Sequence, residues 1–161
     1  DSVYAEKAKA FAAKCKDIAE VLAAITPQAP RHPLHLKVAY HDACHLQHAQ
    51  GVRDAPRQVL RAIPGLTLAE IPESAICCGS AGIYNLVQPD PAQELGDRKV
   101  QHILHTGAQM VVSSNPGCLL QISSGLTRAG KTIPTFHLVQ VVDAAIRGVP
   151  LLPSDRANRT R

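Results

Sequence analysis

Four short runs rich in aliphatic and β-branched residues, over 36–40, 66–71, 110–114 and 133–136, are separated by segments with a different rhythm. In those segments the apolar residues recur every three or four positions, the spacing of one helix face. Val59, Leu60 and Ile63 mark one such face, Leu95, Val100, Ile103 and Leu104 the next, and Val139, Val142, Ala145 and Ile146 the last. A further helix is expected from Leu119. Strands that alternate with helices are returned parallel to one another by each crossover. The predicted fold is therefore α/β: a parallel sheet of about four strands flanked by helices, with ligands gathering beyond the carboxyl ends of the strands.

The punctuation agrees with this reading. Tyr4, Ala8, Phe11, Cys15, Ile18, Leu22 and Ile25 step by four and three, which predicts one leading helix within 1–26, stopped by Pro27 and Pro30. Cys15 lies on that apolar stripe and is expected to be buried and inert. Asp90 followed by Pro91, with Gln93 in the capping-box position, predicts a helix start, and Gly107 its stop. Residues 1–150 form the expected domain, and 151–161 a basic tail, carrying Arg156, Arg159 and Arg161, expected to be disordered.

Aromatic residues make up only 3% of the chain, so Ala, Val, Leu and Ile must build the core. The formal charge of +4 owes much to the tail, and no clustered basic face of the kind nucleic acid requires is evident. Arg53, Arg57 and Arg61 recur every four residues; a solvated helix face is the favoured reading, and a docking face for an acidic partner the sharper one. No apolar run reaches membrane-spanning length, and the first residues do not follow a signal-peptide pattern. A cytoplasmic chain is expected. In that compartment thiols stay reduced, so five cysteines point to metal or redox chemistry.

Four of the five cysteines fall where the fold collects ligands. Cys44 lies four residues past the first run and Cys118 four past the third, while Cys77 and Cys78 follow the second after a short turn. All are thus delivered to one sheet edge, together with His137. Four converging thiolates suit an iron–sulfur cluster or zinc. Structural zinc sites take cysteines in short-spaced pairs, and this chain has no Cys-x-x-Cys, so the cluster is favoured. Gly79 and Gly82 would let the backbone approach an inorganic core and turn its N–H groups toward sulfur. Of His41, His45 and His48, His45 is the favoured cofactor contact because it adjoins Cys44.

These motifs resemble the cysteine-rich CCG domain family, found in heterodisulfide reductase and in the iron–sulfur subunits of several 2-hydroxy acid dehydrogenases. The family pattern is a Cys, thirty-odd residues, Cys-Cys-Gly, thirty-odd residues, then Cys-x-x-Cys. Here 32 residues separate Cys44 from Cys77, and 36 separate Cys78 from Asn115. Asn115-Pro116-Gly117-Cys118 stands in the Cys-x-x-Cys position, with Asn115 replacing the first Cys. Residues 40–48 and 77–84 resemble the C-terminal CCG domain of the glycolate oxidase (glycolate dehydrogenase) iron–sulfur subunit.

The resemblance implies a 4Fe–4S cluster, cubane or noncubane, held by Cys44, Cys77, Cys78 and Cys118, with Gly79, Gly82, Asn115 and His45 around it. The loss of the Cys at Asn115 favours four thiolates and a cubane over the five-Cys noncubane form. It further implies electron transfer from a flavin-containing dehydrogenase subunit to a quinone or other acceptor, with no flavin on this chain and no substrate oxidation by this chain alone. Ferredoxin-like and second CCG domains are expected in the same full-length protein, and association with the inner face of the cell membrane through the complex is a further implication. The alternatives are a zinc-stabilised interaction module without redox activity, and a thiol/disulfide reductase domain of the heterodisulfide reductase type.

Overall fold

The computed structural model describes residues 1–27 and 29–152. Four strands, β1 (Lys37–His41), β2 (Thr67–Glu70), β3 (Met110–Ser113) and β4 (Thr135–His137), form one sheet in the order β2-β1-β3-β4. Every pairing is parallel, as the alternation of strand and helix patterns requires. Helices α1 (Ala5–Lys14) and α2 (Ile18–Ala24) precede the sheet, and α3 (Asp54–Arg61) links β1 to β2. The short α4 (Tyr84–Val87) and long α5 (Pro89–His105) link β2 to β3, α6 (Pro116–Arg128) links β3 to β4, and α7 (Leu138–Arg147) follows. A single π-helical turn over His45–Ala49 follows β1.

Strand alternation sorts the core into two layers. Val38, Tyr40, Met110 and Val112 point to one face, where they pack with Ala19 of α2, Val59 and Leu60 of α3, and Leu138, Val141 and Val142 of α7. Ala39 and Val111 point to the other, against Val100 and Ile103 of α5 and Ile122 and Leu126 of α6. Both layers are almost wholly aliphatic, as the scarcity of aromatics demands. Leu151 and Leu152 pack half-buried on the first layer; the remainder of the basic tail, 153–161, lies outside the described residues.

Several boundaries differ from the sequence expectation. The leading segment is two helices, because Asp17 and Glu20 form a capping box that starts α2 afresh. The Asp17 side chain accepts the Ala19 N–H, while that of Glu20 accepts the Asp17 N–H. The break leaves α1 with no buried residue, and Cys15 is exposed rather than buried. Helix α5 begins at Pro89, one residue before the expected cap Asp90, and Gln88 at its start makes no side-chain cap bond. Helix α6 begins at Pro116, three residues before Leu119, because the Asn115 side chain caps it.

Candidate metal centre at the carboxyl edge of the sheet

The order β2-β1-β3-β4 places a topological switch point between β1 and β3, where connections leave in opposite directions and open a crevice. His41 ends β1 in register with Ser113 of β3, and Ser113 is in register with His137 of β4. The first residues past these strands carry the chemistry.

Cys44 opens the π-helical turn after β1, and its Sγ lies 3.6 Å from that of Cys77. Cys78 follows Cys77 directly in the chain, and its Sγ lies within 4.8 Å of that of Cys118 in the first turn of α6. The four thiols predicted to meet thus lie close together. Cys118 and Cys78 are buried, Cys44 and Cys77 half-buried. The Gly79 N–H donates to Cys77 Sγ at 3.4 Å, which is the amide–sulfur contact expected of the glycine.

All three perturbed thiols are held protonated. Burial, and then Cys77, pushes the Cys44 thiol up. The neighbouring Cys78, and then burial, does the same to Cys77. The Cys118 thiol beside it raises Cys78 to about 11. Crowded neutral thiols of this kind lose their protons to solvent when a cation binds, because its charge favours the thiolate.

His41, which the sequence reading did not select, is the histidine whose ring approaches these thiols, while His45, the favoured one, is exposed. His45 and His48 are exposed; His48 Nε2 lies 3.4 Å from the Ala75 carbonyl, and His45 faces solvent on the π-helical turn. His41 is 1% exposed, and neither ring nitrogen has a hydrogen-bond partner. One of those nitrogens and the Cys78 and Cys118 Sγ atoms all lie within 4.8 Å of one another. Burial, reinforced by the charge of Lys99, lowers the His41 pKa to about 3, so the ring is neutral with a lone pair free. Strand parity could have found it: His41 shares the face of Ala39, the face on which Cys78 and Cys118 pack.

The other predicted contributors flank the thiols or lie near the strand ends. Asn115 Oδ1 accepts the Cys118 N–H at 2.9 Å, so its oxygen is committed to capping α6. Gly82 has left-handed φ and open space around it. His137 caps α7, its Nδ1 accepting the Val139 N–H at 3.3 Å. Cys15 stands apart on the exposed surface, its Sγ 3.5 Å from the Phe11 carbonyl.

Two supports hold the cysteine loops. Asp42, between His41 and Cys44, is buried and bound bidentately by Arg57 at 2.8 Å for both contacts. Arg57 also pairs with Glu70 and lies 5.5 Å from the Tyr40 ring centroid. It is thus neither a solvated face nor a free docking face. The second support is α5. Ala92, Gly96 and Lys99 recur on one side of it, and the loop 73–79 runs along them. A Cβ on Gly79 would meet the Ala92 carbonyl at 2.1 Å, and one on Gly96 the Cys78 carbonyl at 3.2 Å. Lys99 Nζ donates to the Glu73 carbonyl at 2.9 Å and the Ser74 carbonyl at 3.3 Å. Glu73 is held from outside by Arg98 and His102.

The family model of the cysteine-rich domain, CCG, matches residues 38–123, from β1 into α6. The chain is 36% identical over 154 residues to the probable glycolate oxidase iron-sulfur subunit of Bacillus subtilis (strain 168), covering 88% of this chain and 33% of that protein. It is 31% identical over 144 residues to lactate utilization protein A of Halalkalibacterium halodurans, covering 89% of this chain and 59% of that one. It is 34% identical over 130 residues to one of the subunits of the fumarate reductase (CoM/CoB) of Methanothermobacter marburgensis, covering 80% of this chain and 27% of that protein. The chain thus spans between about a quarter and three fifths of these relatives. With its thiols gathered by the matched segment, the chain belongs to the cysteine-rich CCG domain family.

Proposed function

We propose that this chain is an iron–sulfur electron-transfer domain of a 2-hydroxy acid dehydrogenase complex. The observation that carries the reading is the convergence of Cys44, Cys77, Cys78 and Cys118 at the switch point, with the unpartnered His41 imidazole against two of them. The donor set fits a metal centre: soft thiols that need a cation to ionise, and a buried polar ring that nothing else satisfies. An iron–sulfur cluster bound there would supply one-electron transfer. A relative named as an iron-sulfur subunit of glycolate oxidase supports the choice of cluster and of substrate class for the complex. The four cysteines would ligate it.

The chain's own residues do the rest of the work. Gly79 turns its N–H to Cys77 sulfur. Asn115 fixes the first turn of α6, and so the position of Cys118. Asp42 and Arg57 anchor the strand end that bears His41 and Cys44. Asn115 in place of a fifth cysteine favours a cubane 4Fe–4S cluster over a five-thiolate form. A flavin-containing dehydrogenase subunit is the proposed electron source, a quinone or similar carrier the sink, and the remaining domains of a longer polypeptide the route between them. Among the described residues no helix is long and apolar enough to cross a membrane; the proposed membrane contact is peripheral, through the complex, on the cytoplasmic side.

One observation favours a second reading. The 3.6 Å separation of Cys44 and Cys77 Sγ is close to the roughly 3.8 Å between two sulfurs on one tetrahedral zinc ion. A single zinc ion bound by thiols and His41 would make this an interaction module without redox activity. Anaerobic purification separates the two. The cluster reading expects brown protein whose visible absorption bleaches reversibly with dithionite. Colourless protein carrying zinc and no sulfide would overturn it.

A further inference from the structure

Lys99 has a fully buried side chain, halfway along α5. Its Nζ is met by two backbone carbonyls, those of Glu73 and Ser74. Among the described residues no carboxylate comes within salt-bridge distance of it. An ammonium taken out of water needs a compensating negative charge, since carbonyl dipoles replace only part of its hydration. The nearby carboxylates are already engaged. Asp42 is neutralised by Arg57 and Glu73 by Arg98. The remaining acidic groups that feel Lys99 are Cys78 and Cys77, and the remaining basic one is His41.

Ionised thiols at Cys77 and Cys78 would add the counter-charge that Asp42 and Glu73, each already paired with an arginine, supply only in part. Four thiolates around an iron–sulfur core carry net negative charge, and each electron accepted makes the centre more negative by one unit. We propose that Lys99 is the buried counter-cation of the thiolate centre, a positioning residue whose charge favours binding of the anionic centre and stabilises its reduced state. The electron comes from a low-potential one-electron donor and resides on the cluster. The proposed step moves no proton: Lys99 is the ammonium before and after it, its pKa lowered by burial and held up by the negative groups around it. The same ammonium ties down the loop 73–79 that carries two of the proposed ligands. The inference rests on the iron–sulfur reading.

The test compares wild type with Lys99→Met, Lys99→Gln and Lys99→Arg, each purified anaerobically and titrated with dithionite against redox mediators. Gln keeps a donor for the two carbonyls but no charge; Arg keeps the charge. A midpoint potential lowered in both Met and Gln, and near wild type in Arg, is the expected result. Iron lost from Met and Gln but kept by Arg would support the same conclusion through binding. A wild-type potential in Gln would reduce Lys99 to a loop tether and overturn the inference, as would iron lost from all three variants. A wild-type protein without iron and sulfide would instead overturn the cluster reading, and this inference with it.

Discussion

The residues around the thiols are not interchangeable polar filler, and Arg57 shows why. Its guanidinium satisfies both oxygens of Asp42, whose side chain is 3% exposed. Hydrogen bonding to Asp42 pushes its pKa up, so it stays charged at every accessible pH. Arg57→Met would strand a buried carboxylate beside His41 and Cys44. Removing one partner of such a pair costs about 3–5 kcal/mol, which a urea titration would read as a lowered midpoint. Asn115 makes a milder case. Its side-chain oxygen is committed to the Cys118 N–H and caps α6, so Asn115→Ala is expected to cost about 1 kcal/mol while most of the iron stays bound. Complete iron loss in that variant would mean that Asn115 is a ligand after all.

At the scale of elements, the loop 73–79 and α5 form a clasp that fixes Cys77 and Cys78. Gly79 has φ +91°, and a Cβ there would collide with the Ala92 carbonyl at 2.1 Å. Gly79→Ala must therefore move backbone against helix; it is expected to lose more than about 1 kcal/mol and most of the bound iron. Gly82→Ala is the control: its φ is also positive, but nothing lies within 4 Å of the added carbon, so iron should be retained. Thermal melts and iron assays on the two variants check the contrast. The four strand runs and the parallel α/β class were legible in the sequence because aliphatic runs, helix periodicity and turn residues are local signals; the strand order was not, because it depends on which crossover packs on which edge. Three further features were not. The seven-residue apolar stripe from Tyr4 to Ile25 hid the break that Asp17 and Glu20 impose, although that pair is a recognisable helix-start signature. Adjacency to Cys44 singles out His45, whereas sheet parity decides which imidazole turns inward, and that is His41. The role of Lys99 was invisible because its partners, two backbone carbonyls, leave no mark in sequence.

For the molecule as a whole, the sheet is sandwiched between α2, α3 and α7 on one face and α5 and α6 on the other. Among the described residues the first aliphatic layer contains no cysteine, so the domain has core enough to fold without metal, unlike a zinc finger. Chelated, metal-free protein is expected to keep an α/β far-ultraviolet circular dichroism spectrum; a disordered spectrum would mean that the metal centre holds the fold together. The central claim is that four thiols at the switch point act as one ligand set. Iron and acid-labile sulfide, measured per chain in anaerobically purified wild type and in single Cys→Ser variants, test it most directly. The account predicts both in the wild type, sharp loss in Cys44→Ser, Cys77→Ser, Cys78→Ser and Cys118→Ser, and no change in Cys15→Ser. Iron that survives Cys118→Ser but vanishes in Cys15→Ser would contradict it.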